Sequence, residues 1–89
     1  MIFSLKEFVY TIKDNVGIHA RPAGQLVKMA TEFKSDITIS VGEKTADAKK
    51  IFSVMTLGAK QNDQVKVVIS GEDEGLAEGK LRVFFEENL

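Results

Sequence analysis

Cysteine is absent from the sequence, and histidine and proline occur once each. Without cysteine the chain has neither a disulfide framework nor a thiolate metal site, and a single histidine gives no cluster of metal ligands. We therefore expect no metal and no other cofactor. The length of 89 residues and the 44% share of apolar residues suit one modest core, so residues 1–89 are expected to form a single domain.

The sequence also has no large excess of charge of one sign, and its apolar residues near the start do not form a long run. The 12 basic and 13 acidic residues leave a formal net charge of −1, whereas nucleic-acid-binding proteins normally carry a clear basic excess. Near the start of the chain, Lys6 and Glu7 interrupt the apolar residues before they reach the length of a membrane span, and no secretory leader is recognised. These absences favour a cytoplasmic protein that neither binds nucleic acid nor inserts into a membrane.

The single histidine and the single proline lie three residues apart, at the start of a helical pattern. Apolar residues recur after them at intervals of three and four, which is typical of a helix with one buried face. Because proline is tolerated in the first turn of a helix and not in its interior, Pro22 predicts that the helix begins near His19 or Ala20. We expect this helix to extend to Phe33, with Gly17 forming the turn that enters it.

The residues at this helix start indicate a site for an anion. The backbone N–H groups of Ala20, Arg21 and Ala23 are expected to lack helical partners, and together with the helix dipole they attract negative charge. A neutral imidazole is a competent nucleophile near neutral pH, and the guanidinium of Arg21 offers paired donors suited to phosphate oxygens. A phosphohistidine site on His19 is therefore one interpretation. A helix cap or another structural role for the histidine is the other.

The whole sequence predicts four strands and three helices. Alternating apolar and polar residues predict strands over residues 7–12 and 36–41, and a β-branched run typical of a central strand predicts another over residues 64–70. The turn at Gly42-Glu43 predicts a short strand over residues 44–46 that completes a hairpin. Helices are expected over residues 20–33, 48–57 and 74–87, the second of them closed by Gly58. The order β-α-β-β-α-β-α predicts an α/β open-faced sandwich with helices on one face of the sheet. Acylphosphatase-like and ferredoxin-like modules share much of this order, so the fold alone leaves the function open.

The chain resembles HPr, the histidine-containing phosphocarrier family of the bacterial phosphotransferase system, in the stretch Gly17-Ile18-His19-Ala20-Arg21-Pro22-Ala23. The resemblance continues in the family's order through residues 33–38, 46–49, 54–59 and 70–74. It implies an α+β fold with a four-stranded antiparallel sheet of strand order 1-4-2-3 and three helices on one face.

The resemblance also implies a phosphoryl carrier rather than an enzyme. His19 would accept a phosphoryl group on Nδ1 from enzyme I, itself charged by phosphoenolpyruvate, and would pass it to the IIA component of a sugar permease. Arg21 would supply the counter-charge, the backbone N–H groups of Ala20 and Arg21 would bind the phosphate, and Gly17 would set the turn. We expect a monomer with small, weak interfaces, since a shuttle has to dissociate between transfers.

A carrier that meets two different proteins is expected to expose an apolar patch ringed by positive charge near the histidine. The residues expected at this interface are Gly24, Val27, Lys28, Lys49, Ile51, Phe52 and Met55. Of these, Ile51 and Phe52 are the first candidates for exposure. Packing in the core is the alternative for each apolar member.

Two positions depart from the family pattern. Lys50 stands in the first turn of the second helix, where many Gram-positive members carry a serine that a regulatory kinase phosphorylates, and Ser53 lies a helical turn further on. The resemblance therefore implies no regulatory serine. Val16 stands where many relatives have Ser, Thr or Asn, so we expect no side-chain hydrogen bond from this position to the site.

Two other functions are compatible with the sequence. One is a regulatory carrier resembling the nitrogen-related branch of the family, whose output controls other proteins, and the missing serine is compatible with it. The other is a small-molecule enzyme or binding module on a similar sandwich, such as an acyl-phosphate hydrolase. Arg21 suits phosphate in that case too, but such an enzyme has no evident need for His19 beside it.

Overall fold

The computed structural model describes residues 5–89, which form seven elements in the predicted order β-α-β-β-α-β-α. They are β1 (Leu5–Thr11), α1 (Ala20–Ala30), β2 (Asp36–Val41), β3 (Lys44–Asp47), α2 (Ile51–Met55), β4 (Gln64–Ser70) and α3 (Glu74–Asn88). Residues 1–4, on which the expectation of no secretory leader partly rests, lie outside the described residues. None of the helices in the described part of the chain is both long and apolar enough to cross a membrane.

The strand limits follow the sequence pattern closely. Strands β2 and β4 have the predicted limits, β1 lies one to two residues earlier than predicted, and β3 extends one residue further, to Asp47. Helix α3 also extends one residue further, to Asn88. Alternation with a period of two and β-branched runs are local signals, so they locate these strands well.

Helix α1 begins at Ala20, as predicted, but it ends at Ala30 rather than at Phe33. The N–H group of Phe33 bonds to the carbonyl oxygen of Ala30, only three residues back, at 3.2 Å. The hydroxyl of Thr31 donates to the carbonyl oxygen of Lys28 at 2.8 Å. The chain therefore tightens into turns after Ala30, and Phe33 enters the core from a turn instead of from the helix.

Helix α2 covers five residues, Ile51–Met55, rather than the predicted 48–57. The carboxylate of Asp47 accepts a hydrogen bond from the N–H group of Lys49 at 2.9 Å, which fixes a turn before the helix. At the other end Gly58 has a φ of +62°, a left-handed conformation that ends the helical path as predicted. The apolar spacing predicted a helix from residue 48, but the hydrogen bond from Lys49 to the Asp47 side chain forms a turn in place of its first residues.

The four strands form one antiparallel sheet in the order β1-β4-β2-β3, which the family resemblance implied. Strand β4 is therefore central, as its composition predicted. In the β2–β4 pair, Ile37 lies opposite Ile69 and Ile39 lies opposite Val67, and all four side chains are buried. A slip of one residue would turn this apolar set toward solvent, so burial specifies the register.

The three helices cover one face of this sheet, and each contributes buried side chains to a shared core. Leu26 of α1 and Val54 of α2 are fully buried, as is Phe85 of α3. The ring of Phe85 meets the ring of Phe8 edge to face, with centroids 5.8 Å apart, and so fixes α3 against β1. Val9, on the opposite face of the sheet, is 58% exposed.

Candidate functional site

A loop of residues 12–19 connects β1 to α1 and carries the histidine at its end. The N–H groups of Lys13 and Asp14 both donate to the main-chain oxygen of Leu89, at 2.6 and 2.8 Å. The N–H group of Ile18 donates to the carbonyl oxygen of Ala59 at 3.0 Å. The loop is thus anchored by the end of α3 on one side and by the α2–β4 connection on the other.

Gly17 makes the close approach to Ala59 possible. Its φ is +80°, and a Cβ atom at this position would lie 2.2 Å from the carbonyl oxygen of Ala59. A larger residue would therefore both strain the backbone and overlap the neighbouring loop. The N–H group of Gly17 donates to the carbonyl oxygen of Asp14 at 3.1 Å, so Gly17 closes a turn shortly before α1 begins.

His19 is the N-cap residue of α1, with extended backbone angles (φ −110°, ψ −176°). Its imidazole makes no capping hydrogen bond to the helix, and the side chain is neither buried nor fully exposed. Pro22 lies in the first turn, as predicted, and it is buried. The histidine therefore serves the helix through its backbone alone, which leaves both ring nitrogens uncommitted to capping.

The first turn of α1 presents fewer free N–H groups than predicted. The N–H group of Ala23 donates to the carbonyl oxygen of His19, four residues back, at 2.9 Å. His19 is the N-cap residue, and the carbonyl of an N-cap residue accepts the first hydrogen bond of its helix. The expectation that Ala23 is unpaired was wrong. Among residues 5–89 nothing accepts a hydrogen bond from the N–H groups of Ala20 and Arg21, so these two donors are available to an anion.

His19 and Arg21 lie together in a cleft of about 250 Å³. Its lining residues are Asp14, His19, Arg21, Pro22, Gln25 and Asn88. Arg21 is exposed and forms no ion pair with any described residue, so its charge is available to an anion in the cleft. A larger groove of about 440 Å³ lies between α1 and α3, but no histidine lines it.

Sequence reasoning missed three polar residues of this cleft. Gln25 follows Arg21 by four positions in α1, so helical periodicity places the two side chains on one face, and that signal was available. Asp14 lies five residues before His19 in the loop, and Asn88 comes from the far end of α3. Only the packing of α3 against the loop brings Asn88 to the histidine.

The residues expected to contact partners are here called the docking face, and they are Gly24, Val27, Lys28, Lys49, Ile51, Phe52 and Met55. Phe52 is 79% exposed, as expected, and Met55 is 39% exposed. Ile51 was expected to be exposed but is half-buried against the core. Its Cδ1 atom lies 3.7 Å from the place of a Cβ atom on Gly24, so Ile51 fills the contact between α2 and α1.

Helix α1 and the two positions before α2 carry basic residues and no acidic ones, although Asp36 and Asp47 line one groove with Lys49 and Glu32 lines another with Lys28. Neither α1 nor α2 contains an acidic residue, whereas Arg21, Lys28, Lys49 and Lys50 are basic. The ammonium group of Lys49 donates to the carbonyl oxygen of Phe33 at 2.8 Å, which holds this side chain against the turn after α1. Helix α1 and the two positions before α2 are thus basic in a chain whose net charge is −1.

Lys50 is the N-cap residue of α2 and lies one position before the first turn in which it was predicted. It is exposed and makes no capping hydrogen bond. The hydroxyl of Ser53, one turn further on, accepts a hydrogen bond from the N–H group of Asp47 at 3.1 Å.

Val16 is 62% exposed, and its N–H group bonds to a carboxylate oxygen of Asp14 at 2.8 Å. No group of three or more possible metal ligands occurs among residues 5–89.

A partly exposed imidazole lies at a helix start with an arginine that forms no ion pair with residues 5–89, on an open-faced sandwich of this strand order, and this combination is typical of a small phosphocarrier domain. The family model described as the PTS HPr component phosphorylation site matches residues 6–87. The chain therefore belongs to the HPr family of phosphocarrier proteins of the phosphotransferase system.

Individual relatives agree with this assignment. The chain is 47% identical over 73 residues to the phosphocarrier protein HPr of Lysinibacillus sphaericus, an alignment that covers 82% of this chain and 83% of the relative. A solved structure of the histidine-containing phosphocarrier protein of a mycoplasma has a TM-score of 0.87 at 35% identity, covering 89% of this chain and 90% of the other. A structure of HPr from Thermoanaerobacter tengcongensis has a TM-score of 0.86 at 38% identity and covers 91% of each chain. Both the resemblance and the fold predicted from sequence are confirmed.

Proposed function

We propose that this chain carries phosphoryl groups in sugar uptake. It accepts them on Nδ1 of His19 from phosphorylated enzyme I and delivers them to the IIA component of a sugar permease. The observation that carries the proposal is the position of His19, whose partly exposed imidazole makes no capping hydrogen bond and lines one cleft with Arg21, which forms no ion pair with residues 5–89. The proposal includes a cytoplasmic location, a single domain over residues 1–89 and a monomeric carrier.

The transfer is a displacement at phosphorus between two imidazoles. The lone pair on Nδ1 of His19 forms the new N–P bond, while the N–P bond of the donor breaks and its electron pair returns to the donor nitrogen. Such a transfer needs little beyond positioning and stabilisation of charge on the phosphoryl oxygens. The N–H groups of Ala20 and Arg21 and the guanidinium of Arg21 are the donors available for that stabilisation.

The docking face supports the proposal that two partners bind in turn at one surface. Phe52 and Met55 offer apolar contact area, and the basic residues around them favour partners with acidic surfaces. Charge attraction of this kind speeds association more than it slows dissociation, which suits a protein that must leave each partner after transfer.

Incubation with enzyme I and phosphoenolpyruvate tests the acceptor. The wild-type chain is expected to gain one acid-labile, base-stable phosphoryl group, detected by intact mass, and His19→Ala is expected to gain none. Thr56→Ala, which removes the hydroxyl that bonds to the carbonyl oxygen of Ser53 at the end of α2, is the control and is expected to gain the group. If wild type gains nothing, the carrier function is wrong, and if His19→Ala still gains the group, the acceptor is wrong.

Transfer to a panel of purified IIA domains separates sugar transport from a regulatory branch. Lys50 supplies no hydroxyl at the position of the family's regulatory serine, and this is the feature compatible with the regulatory alternative. Transfer to sugar-specific IIA domains, together with a sugar-uptake defect in a deletion strain, is the expected result. Normal growth on transported sugars would favour the regulatory role.

A further inference from the structure

Asp14 lies in the cleft of His19 and Arg21, yet the proposed transfer gives it no part. It is the only acidic residue in the cleft lining. One carboxylate oxygen accepts the N–H group of Val16 at 2.8 Å. Within residues 5–89 the carboxylate forms no ion pair, either with Arg21 or with any other cation. A carboxylate outside any ion pair of the described residues therefore lines the cleft in which His19 is proposed to carry the phosphoryl group.

The backbone holds this charge in place. The N–H group of Asp14 donates to the main-chain oxygen of Leu89 at 2.8 Å, and its carbonyl oxygen accepts the N–H group of Gly17 at 3.1 Å. With the side-chain bond to Val16, Asp14 is fixed at three points, and it is only partly exposed. The carboxylate is therefore part of the ordered loop and remains near the cleft.

We propose that Asp14 sets the phosphoryl-transfer potential of the carrier by raising the free energy of phosphorylated His19 relative to free His19. The inference rests on the proposed function. A phosphoryl group on Nδ1 brings up to two negative charges into the cleft, and the carboxylate repels them, while Arg21 and the N–H groups of the first turn attract them. Asp14 and His19 line the same cleft of about 250 Å³. The Debye length is roughly 8 Å at physiological salt, so solvent ions screen this repulsion only in part.

Phosphorylated His19 is therefore less stable, relative to free His19, than it would be without the charge of Asp14. Arg21 alone would favour the phosphorylated form and retain it, whereas a shuttle must also release the group to its acceptor. The opposing charges of Asp14 and Arg21 keep the equilibrium between donor and carrier, and between carrier and acceptor, closer to balance. Asp14 acts through its charge and touches no bond that forms or breaks, so it is a positioning residue for the phosphoryl charge and not a catalytic one.

Asp14→Asn tests the charge without removing the turn, because the amide oxygen of asparagine still accepts the N–H group of Val16. Asp63→Asn is the matched control: Asp63 is also half-buried, its carboxylate also accepts one backbone N–H group, that of Lys60 at 2.9 Å, and it does not line the cleft. The measurement is the fraction of phosphorylated chain at equilibrium with enzyme I and a fixed ratio of phosphoenolpyruvate to pyruvate.

The equilibrium constant for phosphorylation of Asp14→Asn is expected to exceed that of wild type about two- to five-fold, the size of measured interactions between partly exposed charges. The difference is expected to shrink toward one-fold at about 1 M salt, where the Debye length falls to about 3 Å. Asp63→Asn is expected to match wild type. Equal constants for Asp14→Asn and Asp63→Asn, or a difference that salt does not change, would overturn the proposal.

A second measurement makes this inference testable even if the carrier function is wrong. Inorganic phosphate is titrated into each protein above pH 8, where it is a dianion, and binding is followed through the amide resonances of Ala20 and Arg21. Asp14→Asn is expected to bind phosphate about two- to five-fold more tightly than wild type and Asp63→Asn. If phosphate binds no more tightly to Asp14→Asn than to Asp63→Asn, or binds to none of the three proteins, the proposed role of Asp14 is wrong.

Discussion

Asp73 accepts hydrogen bonds from both the N–H group and the hydroxyl of Ser35, a residue 38 positions earlier in the chain. The N–H group of Lys34 donates to its other carboxylate oxygen at 2.8 Å. Ser35 is fully buried, and Gly71 packs so closely against it that a Cβ atom on the glycine would lie 2.6 Å from the Cα atom of Ser35. One carboxylate thus joins the turn after α1 to the loop before α3, on the side of the molecule away from the loop of His19.

These bonds make the stability of the fold depend on pH. The hydroxyl of Ser35, and then the N–H group of Lys34, lower the pKa of Asp73 below its ordinary value. A lowered folded-state pKa means that the charged carboxylate stabilises the native state above the unfolded pKa of about 3.9, and that this contribution is lost as the pH falls through the folded pKa. Asp73→Asn is expected to lower the urea midpoint at pH 7, and the gap to wild type is expected to narrow below about pH 4.

Glu72→Gln is the matched control for that experiment. Glu72 pairs with Lys34 at 2.9 Å, but both side chains are more than half exposed, and such pairs contribute little to stability. We expect its urea midpoint to stay near that of wild type at pH 7. A gap between wild type and Asp73→Asn that does not change with pH would contradict the assignment of the stabilisation to the charged carboxylate.

Gly17→Ala is expected to destabilise the fold by about 2 to 4 kcal/mol, because it combines a strained backbone conformation with an overlap on the carbonyl oxygen of Ala59. Gly58→Ala separates the two causes. Gly58 also has a positive φ, of +62°, but a Cβ atom there would meet nothing within 4 Å. Gly58→Ala is therefore expected to lower the free energy of unfolding by about 1 to 2 kcal/mol, through the strained backbone conformation alone. Urea unfolding measures the stability of both variants. Equal losses of stability would mean that the overlap of a Cβ atom at residue 17 with Ala59 does not destabilise the fold.

Arg21→Gln is expected to change stability and transfer in opposite directions. A positive charge in the first turn of a helix is unfavourable with the helix dipole, so its removal is expected to stabilise the fold by about 0.3 to 1 kcal/mol. Loss of charged hydrogen bonds to the phosphoryl group, at about 1.5 to 3 kcal/mol, is expected to slow transfer from enzyme I roughly ten-fold or more.

Lys28→Gln provides the comparison for stability, since Lys28 lies in the last turn of α1, where positive charge is favourable. We expect this variant to lose stability by a similar amount. Urea unfolding and a rapid-mixing transfer assay give the two quantities. Unchanged transfer by Arg21→Gln would remove Arg21 from the proposed site.

Phe52→Ala is expected to leave the free energy of unfolding within about 0.5 kcal/mol of wild type, since the side chain is 79% exposed. If Phe52 is an anchor of the docking face, binding to enzyme I weakens by more than about 1 kcal/mol, or roughly five-fold. Val83→Ala, an exposed apolar residue on α3, is expected to bind enzyme I like wild type. Calorimetric titration with enzyme I measures both, and equal affinities for the two variants would place the interface elsewhere.

The sequence by itself determined the order of elements, the limits of β2 and β4 and the start of α1 at Ala20. Alternation, β-branched runs and the restriction that Pro22 places on a helix are properties of neighbouring residues, so no distant contact is needed to recognise them. The family signature predicted His19 as the phosphoryl acceptor and Arg21 as its counter-charge, and the structure brings both to one cleft.

Tertiary structure decided what neighbouring residues cannot specify. Hydrogen bonds in the turns shortened α1 and α2, and contact with α1 buried Ile51 where exposure was expected. Asn88 lines the cleft of the histidine only because α3 packs along the sheet, and the loop that carries Asp14 is fixed by the main-chain oxygen of Leu89. Such contacts join residues far apart in the chain, and they exist only once the packing of the core has set the distances between elements.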